Sequence, residues 1–544
     1  VSLLSLGAAP LERAEIYFLD AARAMVERDD HLVPHYRGEP FFDKPALAYW
    51  LMAAAFHAFG PSAEAARLVS ALFALLTVLL TGALARRLLG PAAAGPAALV
   101  LATTPAFMSF SRVAMSDMLL VFFSTLAFLL GLLAYEDEKA SWASPALGAA
   151  LGLGFLAKGP IAVLVPGLGL LALAWTRRRE RWPWRGREVA LALAVFAVLG
   201  LGWFGAVFAR LGAAPLRYFF LRENLERFAG ATYDSAQPFW YYLPTYLAQG
   251  APWALFLPWA AFAARRDGGR AGALLLLGWA GLVVALLGSS RGKIDYYLLP
   301  VYPALSCVVG SLFTREWGRA GRRWAGLVTA GLCLTVTALP WVLRGVPTDW
   351  LPPARSILAA AALWAVVALG LLAAALRPAP GRTLLALGGG GAVVFSTLAG
   401  VFLPAFRAGQ PNDAIVRAVA RERYFEPAAR VALCHDLTRV DRDLLFQSRL
   451  ATEERCDVWA MAAATEPYLM LVPPSQVEPL VSAGVRAVSR FAHLPATVLT
   501  LGGFEERARP RQVVLVANYP AREPEVARLA RRARRRAVLE AAEP

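Results

Sequence analysis

Met118-Leu-Leu-Val-Phe-Phe-Ser-Thr-Leu-Ala-Phe-Leu-Leu-Gly-Leu-Leu-Ala-Tyr135 carries no charge, and acids stand at both of its ends, Asp117 and Glu136. A helix needs about 17 to 25 mainly apolar residues to cross the hydrocarbon core of a bilayer, and this run has the length. Eleven more charge-free runs share the pattern. On the N-terminal side of the chain they are Leu68–Ala85, Leu88–Ser111, Ala140–Ala157, Gly159–Thr176, Val189–Ala209 and Ser235–Ala264. Further on come Ala271–Ser290, Tyr296–Thr314, Trp324–Leu343, Ser356–Leu376 and Thr383–Phe406. Of the 544 residues 58% are hydrophobic and 17% charged, against roughly 25% charged in a soluble domain. The sequence therefore reads as an all-α polytopic membrane protein.

Net charge is +16, from 55 Lys and Arg against 39 Asp and Glu. In a soluble chain that balance would suggest nucleic acid. Here most of that excess positive charge sits in short loops between spans, so membrane lipids are the expected partner and nucleic acid is not. Arg86-Arg87, Arg177–Arg187, Arg265–Arg270, Arg315–Arg323 and Arg377–Arg382 fall at every second boundary. That assigns their side to the cytoplasm; the acidic loop Glu136-Asp-Glu-Lys139 fits least well. The segments before Leu68 and after Phe406 then both lie outside. Residue 1 is Val and no span precedes it, so a helix or a cleaved signal peptide is expected upstream.

Three parts follow. Residues 1–67 form an external loop with amphipathic juxtamembrane helices, because Leu11, Ala14, Phe18, Ala22 and Met25 recur at helical spacing, and Pro45–Phe59 forms a second such stretch. Residues 68–406 are the transmembrane bundle, interrupted by the external loop Arg210–Asp234. Residues 407–544 are a small soluble α/β domain, in which the apolar runs Arg430–Cys434, Tyr468–Val472 and Gln512–Ala517 alternate with the helical patterns Ala414–Arg423 and Val477–Ala483. Its end, Arg528–Arg536, is a basic helix suited to solvent or lipid headgroups. Cys307 and Cys333 lie in spans and read as packing residues. Cys434 and Cys456 lie in the tail, where a disulfide is permitted, and spacing leaves their pairing open.

The chemistry concentrates at one membrane face. His31-Leu-Val-Pro-His-Tyr-Arg-Gly-Glu-Pro-Phe-Phe-Asp-Lys-Pro-Ala-Leu-Ala-Tyr-Trp50 is a polar loop that sets Asp43 beside Lys44. Pro45 restricts the backbone at Lys44 and is expected to aim its ammonium inward. Arg112 and Asp117, Lys158, then Arg291, Lys293 and Asp295, and Arg222, Glu223, Asn224 and Arg227 map to the same face. A lone span-end charge often only snorkels, but convergence of this many at a membrane points to function. Several cations with a few acids suit a phosphate held by Arg or Lys while a carboxylate acts on a hydroxyl.

At these residues the chain resembles a known family. Asp30-His-Leu-Val-Pro34, Gly38-Glu-Pro-Phe-Phe-Asp-Lys-Pro45 and Tyr49-Trp50, behind an amphipathic helix, are similar to the first external loop of the lipid A aminoarabinose transferases and their protein-mannosyltransferase-like relatives. The likeness continues through Arg112–Asp117 and the Leu-Leu-Val-Phe-Phe after Met118, through Lys158-Gly-Pro, Pro238-Phe-Trp-Tyr-Tyr-Leu-Pro244 and Pro252-Trp, and through Lys293 to Pro303. It covers about residues 11–310. The resemblance implies a bundle of the GT-C type that moves a sugar from a polyprenyl-phosphate donor to an extracytoplasmic acceptor, with inversion. The acceptor is lipid A, another envelope lipid or glycan, or a protein. It also implies a bacterial inner-membrane location with the active site and tail periplasmic, and a monomer is expected.

Carried over by position, the resemblance implies that Lys44 binds the lipid phosphate and that Asp43 is an acidic ligand of a divalent metal. Asp117 becomes an active-site carboxylate, and Lys158 and Lys293 line the cavity. Arg112, Arg291, Tyr296 and Tyr297 complete the expected substrate-binding set. One departure matters: the family opens its first helix with Asp-Glu-x-Arg-Tyr, and here Ala14-Glu15-Ile16-Tyr17-Phe18 stands in that place. Glu15, or Glu12 one turn earlier, is then expected to act as the base. The family's His metal ligand has no His counterpart, since Asp234 and Ser235 precede Pro238, which leaves His31 and His35 as substitutes. A secondary transporter or lipid flippase is the alternative, and transporters place polar groups and broken helices near mid-membrane, often in repeated halves. These spans are charge-free and show no repeat.

Overall fold

The computed structural model describes residues 3–519 apart from 4, 10, 13, 138–139, 178–185, 231–235, 265–269, 344–350, 406–411, 426, 435–445, 447–451, 454–456 and 494–510. Asp234, Ser235, Cys456 and the basic stretch 528–536 lie outside the described residues. The chain divides into two compact units. The first comprises Val1–Ala9, Tyr17–Arg344 and Pro352–Pro404, and the second Pro10–Ile16, Gly345–Leu351 and Ala405–Pro544.

The first unit is helical. Helix α1 (Glu15–Arg28) leads into a short hairpin, β1 (His35–Tyr36) with β2 (Glu39–Pro40), and then α2 (Leu47–Phe59). There follow α3 (Ala63–Leu89), α4 (Ala94–Ala102), α5 (Pro105–Phe110), α6 (Asp117–Glu136), α7 (Ala143–Lys158), α8 (Ile161–Arg177) and α9 (Gly186–Leu211). After a short helical segment over 214–229 come α10 (Tyr242–Gly250), α11 (Leu257–Ala264), α12 (Arg270–Ser289), α13 (Tyr302–Leu312), α14 (Arg319–Leu343), α15 (Ala354–Leu376) and α16 (Pro380–Ala405). Among the described residues, seven of these helices are long and apolar enough to cross a membrane: α3, α6, α9, α12, α14, α15 and α16. The protein is a multi-pass membrane protein.

Other expected crossings run as shorter or divided helices. The apolar run Leu88–Ser111 divides into α4 and α5 at Pro105, which lacks the amide that would continue the helix. Ser235–Ala264 divides into α10 and α11 around Pro252. Gly159, at φ +74°, separates α7 from α8, a conformation that costs glycine little. A hydropathy profile sees continuous oil across Pro105 and Pro252, because a break made by Pro leaves the composition apolar, whereas Lys158 already marks the break at Gly159.

Helix α3 shows how the termini are set. Ser62 Oγ accepts the Ala65 amide at 3.1 Å, Glu64 lies in the first turn and Arg86 and Arg87 in the last, so both ends oppose the helix dipole. The acidic Glu136 finds its place on the basic side, between Arg87 at 2.7 Å and Arg177 at 3.3 Å. Phe18, Ala22 and Met25 of α1 are buried, so this stretch packs as core. The bundle core includes Phe128 stacked on Trp279 at 4.2 Å, with the Trp279 indole donating to the Val165 carbonyl at 2.8 Å.

Close helix approach depends on a small residue at Gly310 in α13. A Cβ there would lie 2.5 Å from the Ala97 backbone nitrogen and 2.6 Å from its Cα. Backbone of a packed helix cannot yield, so Gly310→Ala is expected to cost about 1–3 kcal/mol. A lowered thermal unfolding midpoint in detergent is the readout; an unchanged midpoint would mean that α4 and α13 do not meet here.

The second unit holds a five-stranded mixed sheet, with strands β3 (Arg430–Leu433), β4 (Thr452–Glu453), β5 (Tyr468–Val472), β6 (Arg486–His493) and β7 (Arg511–Ala517) in the order β4-β3-β5-β7-β6. Strand β3 runs parallel to β4 and β5, while β7 is antiparallel to both its neighbours. Helices α17 (Asn412–Phe425), α18 (Val458–Ala463) and α19 (Val477–Ser482) accompany it. All of β5 is buried, which explains its unbroken apolar sequence. Cys434 is disulfide-bonded and Cys307 and Cys333 are free.

Candidate active site

The Asp43-Lys44 turn is held from both sides. Arg37 and Gly38 both have positive φ, +52° and +88°, the geometry of a two-residue hairpin turn that matches strand twist. The Arg37 amide donates to Asp20 Oδ2 of α1 at 2.8 Å, and Tyr17 stacks on Phe41 at 5.5 Å. Asp30 Oδ1 accepts the amides of Leu32 and Val33 at 3.0 and 3.3 Å, and Arg210 pairs with its carboxylate at 3.0 Å. Burial raises the Asp30 pKa, but these bonds outweigh it and the net shift is downward. Beyond the turn, Phe42 packs on Trp203 at 6.3 Å, and Pro45 leads to α2 with Tyr49 fully buried.

Lys44 Nζ donates to the Asp43 carbonyl at 2.8 Å and lies 3.5 Å from Glu223 Oε2. Arg227 donates to the same Glu223 oxygen at 3.0 Å and hydrogen-bonds Tyr297. The Tyr218 hydroxyl donates to Asp43 Oδ1 at 2.8 Å. Burial, then the nearby Glu223 carboxylate, push the Asp43 pKa up. Burial pulls that of Lys44 down, and Glu223 partly restores it. Next to this group the ammonium of Lys158, the last residue of α7, pairs with Asp117, the first of α6. Lys158 also faces the rings of Tyr296 and Tyr297, 5.9 and 5.6 Å from their centroids.

These groups border one cavity of about 500 Å³. Asp43, Lys44, Lys158, Glu223 and Arg227 supply its charged lining, with Asn224, Ser290 and Tyr297 beside them, and Ile161, Leu164, Phe219, Phe220, Leu286 and Leu287 form part of an apolar wall. A charged pocket open along an oily wall is shaped for an amphiphile with an anionic head.

A family profile described as dolichyl-phosphate-mannose-protein mannosyltransferase matches residues 43–203. Among curated proteins, an undecaprenyl phosphate-alpha-4-amino-4-deoxy-L-arabinose arabinosyl transferase of Edwardsiella ictaluri is 31% identical over 350 residues, 61% of this chain and 62% of that protein. The same enzyme of Pseudomonas aeruginosa is 33% identical over 335 residues, 60% of each. The match therefore spans under two thirds of these relatives' length. Two crystal structures of ArnT from Cupriavidus metallidurans, one apo and one bound to undecaprenyl phosphate, superpose with TM-scores of 0.71 and 0.72 at 22% identity, covering 95% and 96% of both chains. The chain is aminoarabinose-transferase-like and has the GT-C fold.

Within this GT-C bundle the expected site residues separate into groups. Asp43, Lys44, Lys158 and Tyr297 line the cavity, and Asp117 reaches it through Lys158. Tyr296 stands beside it, in contact with Phe110 and Tyr297. Lys293 is buried and donates to the carbonyls of Gln237, at 2.8 Å, and Ser290. Arg112 is buried and donates to the Ser5 carbonyl at 2.8 Å, while the Arg291 side chain is exposed. Glu15 is buried at the head of α1, its carboxylate accepting the amide of the exposed Glu12 at 2.8 Å. Neither glutamate is among the residues lining the cavity.

Asp43, the expected metal ligand, accepts a bond from a protein donor, and Asp234 and Ser235, which stand where the family has its His ligand, lie outside the described residues. Tyr218 engages Asp43, and Lys44 and Arg227 engage Glu223. His35 Nδ1 is bonded to the Val33 carbonyl and His31 stacks with His57. Among the described residues no three His, Cys, Asp or Glu come together. Glu223 and Arg227, expected from the sequence only to share this face without individual roles, both line the cavity. Their four-residue spacing was the available signal, since it places them on one helical face.

Proposed function

We propose that the protein is a membrane glycosyltransferase that moves a sugar from a polyprenyl-phosphate donor to an acceptor on the periplasmic face of a bacterial inner membrane, working as a monomer. The similarity to aminoarabinose transferases favours a pentosyl donor and lipid A as acceptor. The observation that carries the reading is the single cavity in which Lys44 and Arg227 converge on Glu223, beside Lys158 and an apolar wall. In the ion pairs, Glu223 holds the place that a donor phosphate would take.

The chemistry then runs as one displacement. The bond from the anomeric carbon to the phosphate oxygen breaks, and its electron pair leaves with the polyprenyl phosphate. That leaving group is already an anion, so it needs positive charge rather than a proton, and Lys44 and Arg227 supply it. The acceptor oxygen attacks from the opposite side, inverting the centre, and gives its proton to a carboxylate. Glu15, with Glu12 next to it, remains the proposed base; Asp117 and Asp43 are the carboxylates at the cavity. No step is routed through a metal.

Deleting the gene and comparing envelope lipids and glycans by mass spectrometry tests this reading. A component that loses one sugar in the deletion supports it. If no component changes while uptake or export of a solute does, the transporter reading replaces it.

The pKa directions give a further prediction. The Asp43 carboxylate is lost as pH falls through its raised pKa, and the Lys44 charge is lost as pH rises through its lowered one. Both limbs of the kcat/KM profile, which reports the free enzyme, should therefore lie closer to neutrality than ordinary Asp and Lys would place them. Lys44→Arg keeps its charge at all accessible pH, so it should move the alkaline limb up and leave the acid limb alone. An alkaline limb that stays in place assigns it to another group.

A further inference from the structure

Well separated in sequence from the donor cavity, a second concavity of about 810 Å³ is lined by Arg319, Arg322, Arg323 and Arg377 together with Gly326, Leu327, Leu376 and Pro378. It forms where the first turns of α14 meet the end of α15. The helices approach closely at Gly326, whose Cβ would lie 3.0 Å from the Ala375 carbonyl. Among the described residues none of the four arginines is paired with a carboxylate. Arg322 donates to the Trp317 carbonyl at 2.7 Å, and the other three guanidinium groups are exposed. Just beyond the cations the surface turns apolar: Leu327 is 68% exposed and Leu376 73%, and Leu369, Leu372 and Leu334 continue the face.

We propose that this pocket binds the headgroup of an anionic membrane phospholipid, its phosphates among the four arginines and its acyl chains along Leu327 and Leu376. Cations at span ends also set topology, but that role needs charge alone and not a concavity with an oily floor. Guanidinium is the group best matched to phosphate oxygens, and basic pockets between membrane helices suit phosphate headgroups. The N-terminus of α14, at Arg319, lies at the same place and its dipole favours an anion there. Four cations and this volume fit a headgroup with two phosphodiesters, as in diphosphatidylglycerol, better than one.

The test uses purified, delipidated full-length protein in neutral detergent, titrated separately with diphosphatidylglycerol, phosphatidylglycerol, phosphatidylcholine and inorganic phosphate. Unfolding midpoints and bound lipid in native mass spectra are read. The expected order is diphosphatidylglycerol, then phosphatidylglycerol, with no shift from phosphatidylcholine or inorganic phosphate. Replacing Arg319, Arg323 and Arg377 with Gln together should weaken diphosphatidylglycerol binding roughly a hundredfold, as expected for the loss of three charges at a membrane surface. Equal shifts with phosphatidylcholine, a full shift with inorganic phosphate, or unchanged binding by the triple variant would each overturn the proposal. Should the triple variant fail to fold, the four titrations of the unaltered protein decide the matter alone.

Discussion

Lys44→Ala is expected to lower turnover by roughly 10²–10³, the usual effect of removing a charge-stabilising donor from a transition state, while the protein stays folded. Lys44 stands on a loop rather than within a helix, and its partner Glu223 keeps Arg227 at 3.0 Å when the ammonium is gone. No buried charge is orphaned, so little stability depends on this side chain. The turn itself is fixed by other contacts, among them Tyr218 on Asp43 and Phe42 on Trp203. The check is a pair of measurements on one sample: steady-state transfer and the unfolding midpoint. A variant that is inactive because it is unfolded would refute the separation of roles claimed here, as would a folded variant of full activity.

Lys158→Met is expected to behave in the opposite way, with a stability loss of about 3–5 kcal/mol, typical of breaking a buried ion pair from one side. The Lys158 side chain is 11% exposed and that of Asp117 is 7%. Removing the ammonium leaves the Asp117 carboxyl buried without this partner, near Tyr296 and Tyr297. Replacing both partners removes that penalty, so Lys158→Met with Asp117→Leu should recover most of the lost stability and none of the activity. Thermal unfolding of the single and double variants in the same detergent reads the cycle. If the double variant is no more stable than Lys158→Met, these two residues are not energetically coupled.

These two residues also show how the sequence could be read. Lys158 attracts attention because a cation between two apolar runs is costly, Lys44 because it stands beside Asp43 in a polar loop before Pro45, and the structure brings both to one cavity. Tyr468–Val472 was legible to the residue, because a strand buried on both faces must be apolar throughout. Arg112 looks the same as Lys158 in sequence, yet its guanidinium goes to the Ser5 carbonyl. Nothing local distinguishes a cation that meets a ligand from one that binds backbone. Glu223 lies in a π-helical turn, Tyr218–Glu226, and Arg227 directly follows it, so their four-residue spacing marks a shared face without announcing that turn. The breaks before Pro105 and at Pro252 were hidden for the same kind of reason: hydropathy averages over them.

Sugar transfer from a lipid phosphate in the cavity around Lys44, Arg227 and Lys158, as proposed, is read by incubating purified protein with a polyprenyl-phosphate-linked aminoarabinose and lipid A and following both lipids by mass spectrometry. Free polyprenyl phosphate and sugar-bearing lipid A should appear together and in equal amounts with the unaltered protein, and more slowly, by about a hundredfold or more, with Lys44→Ala. Transfer by Lys44→Ala at the unaltered rate would contradict the proposal.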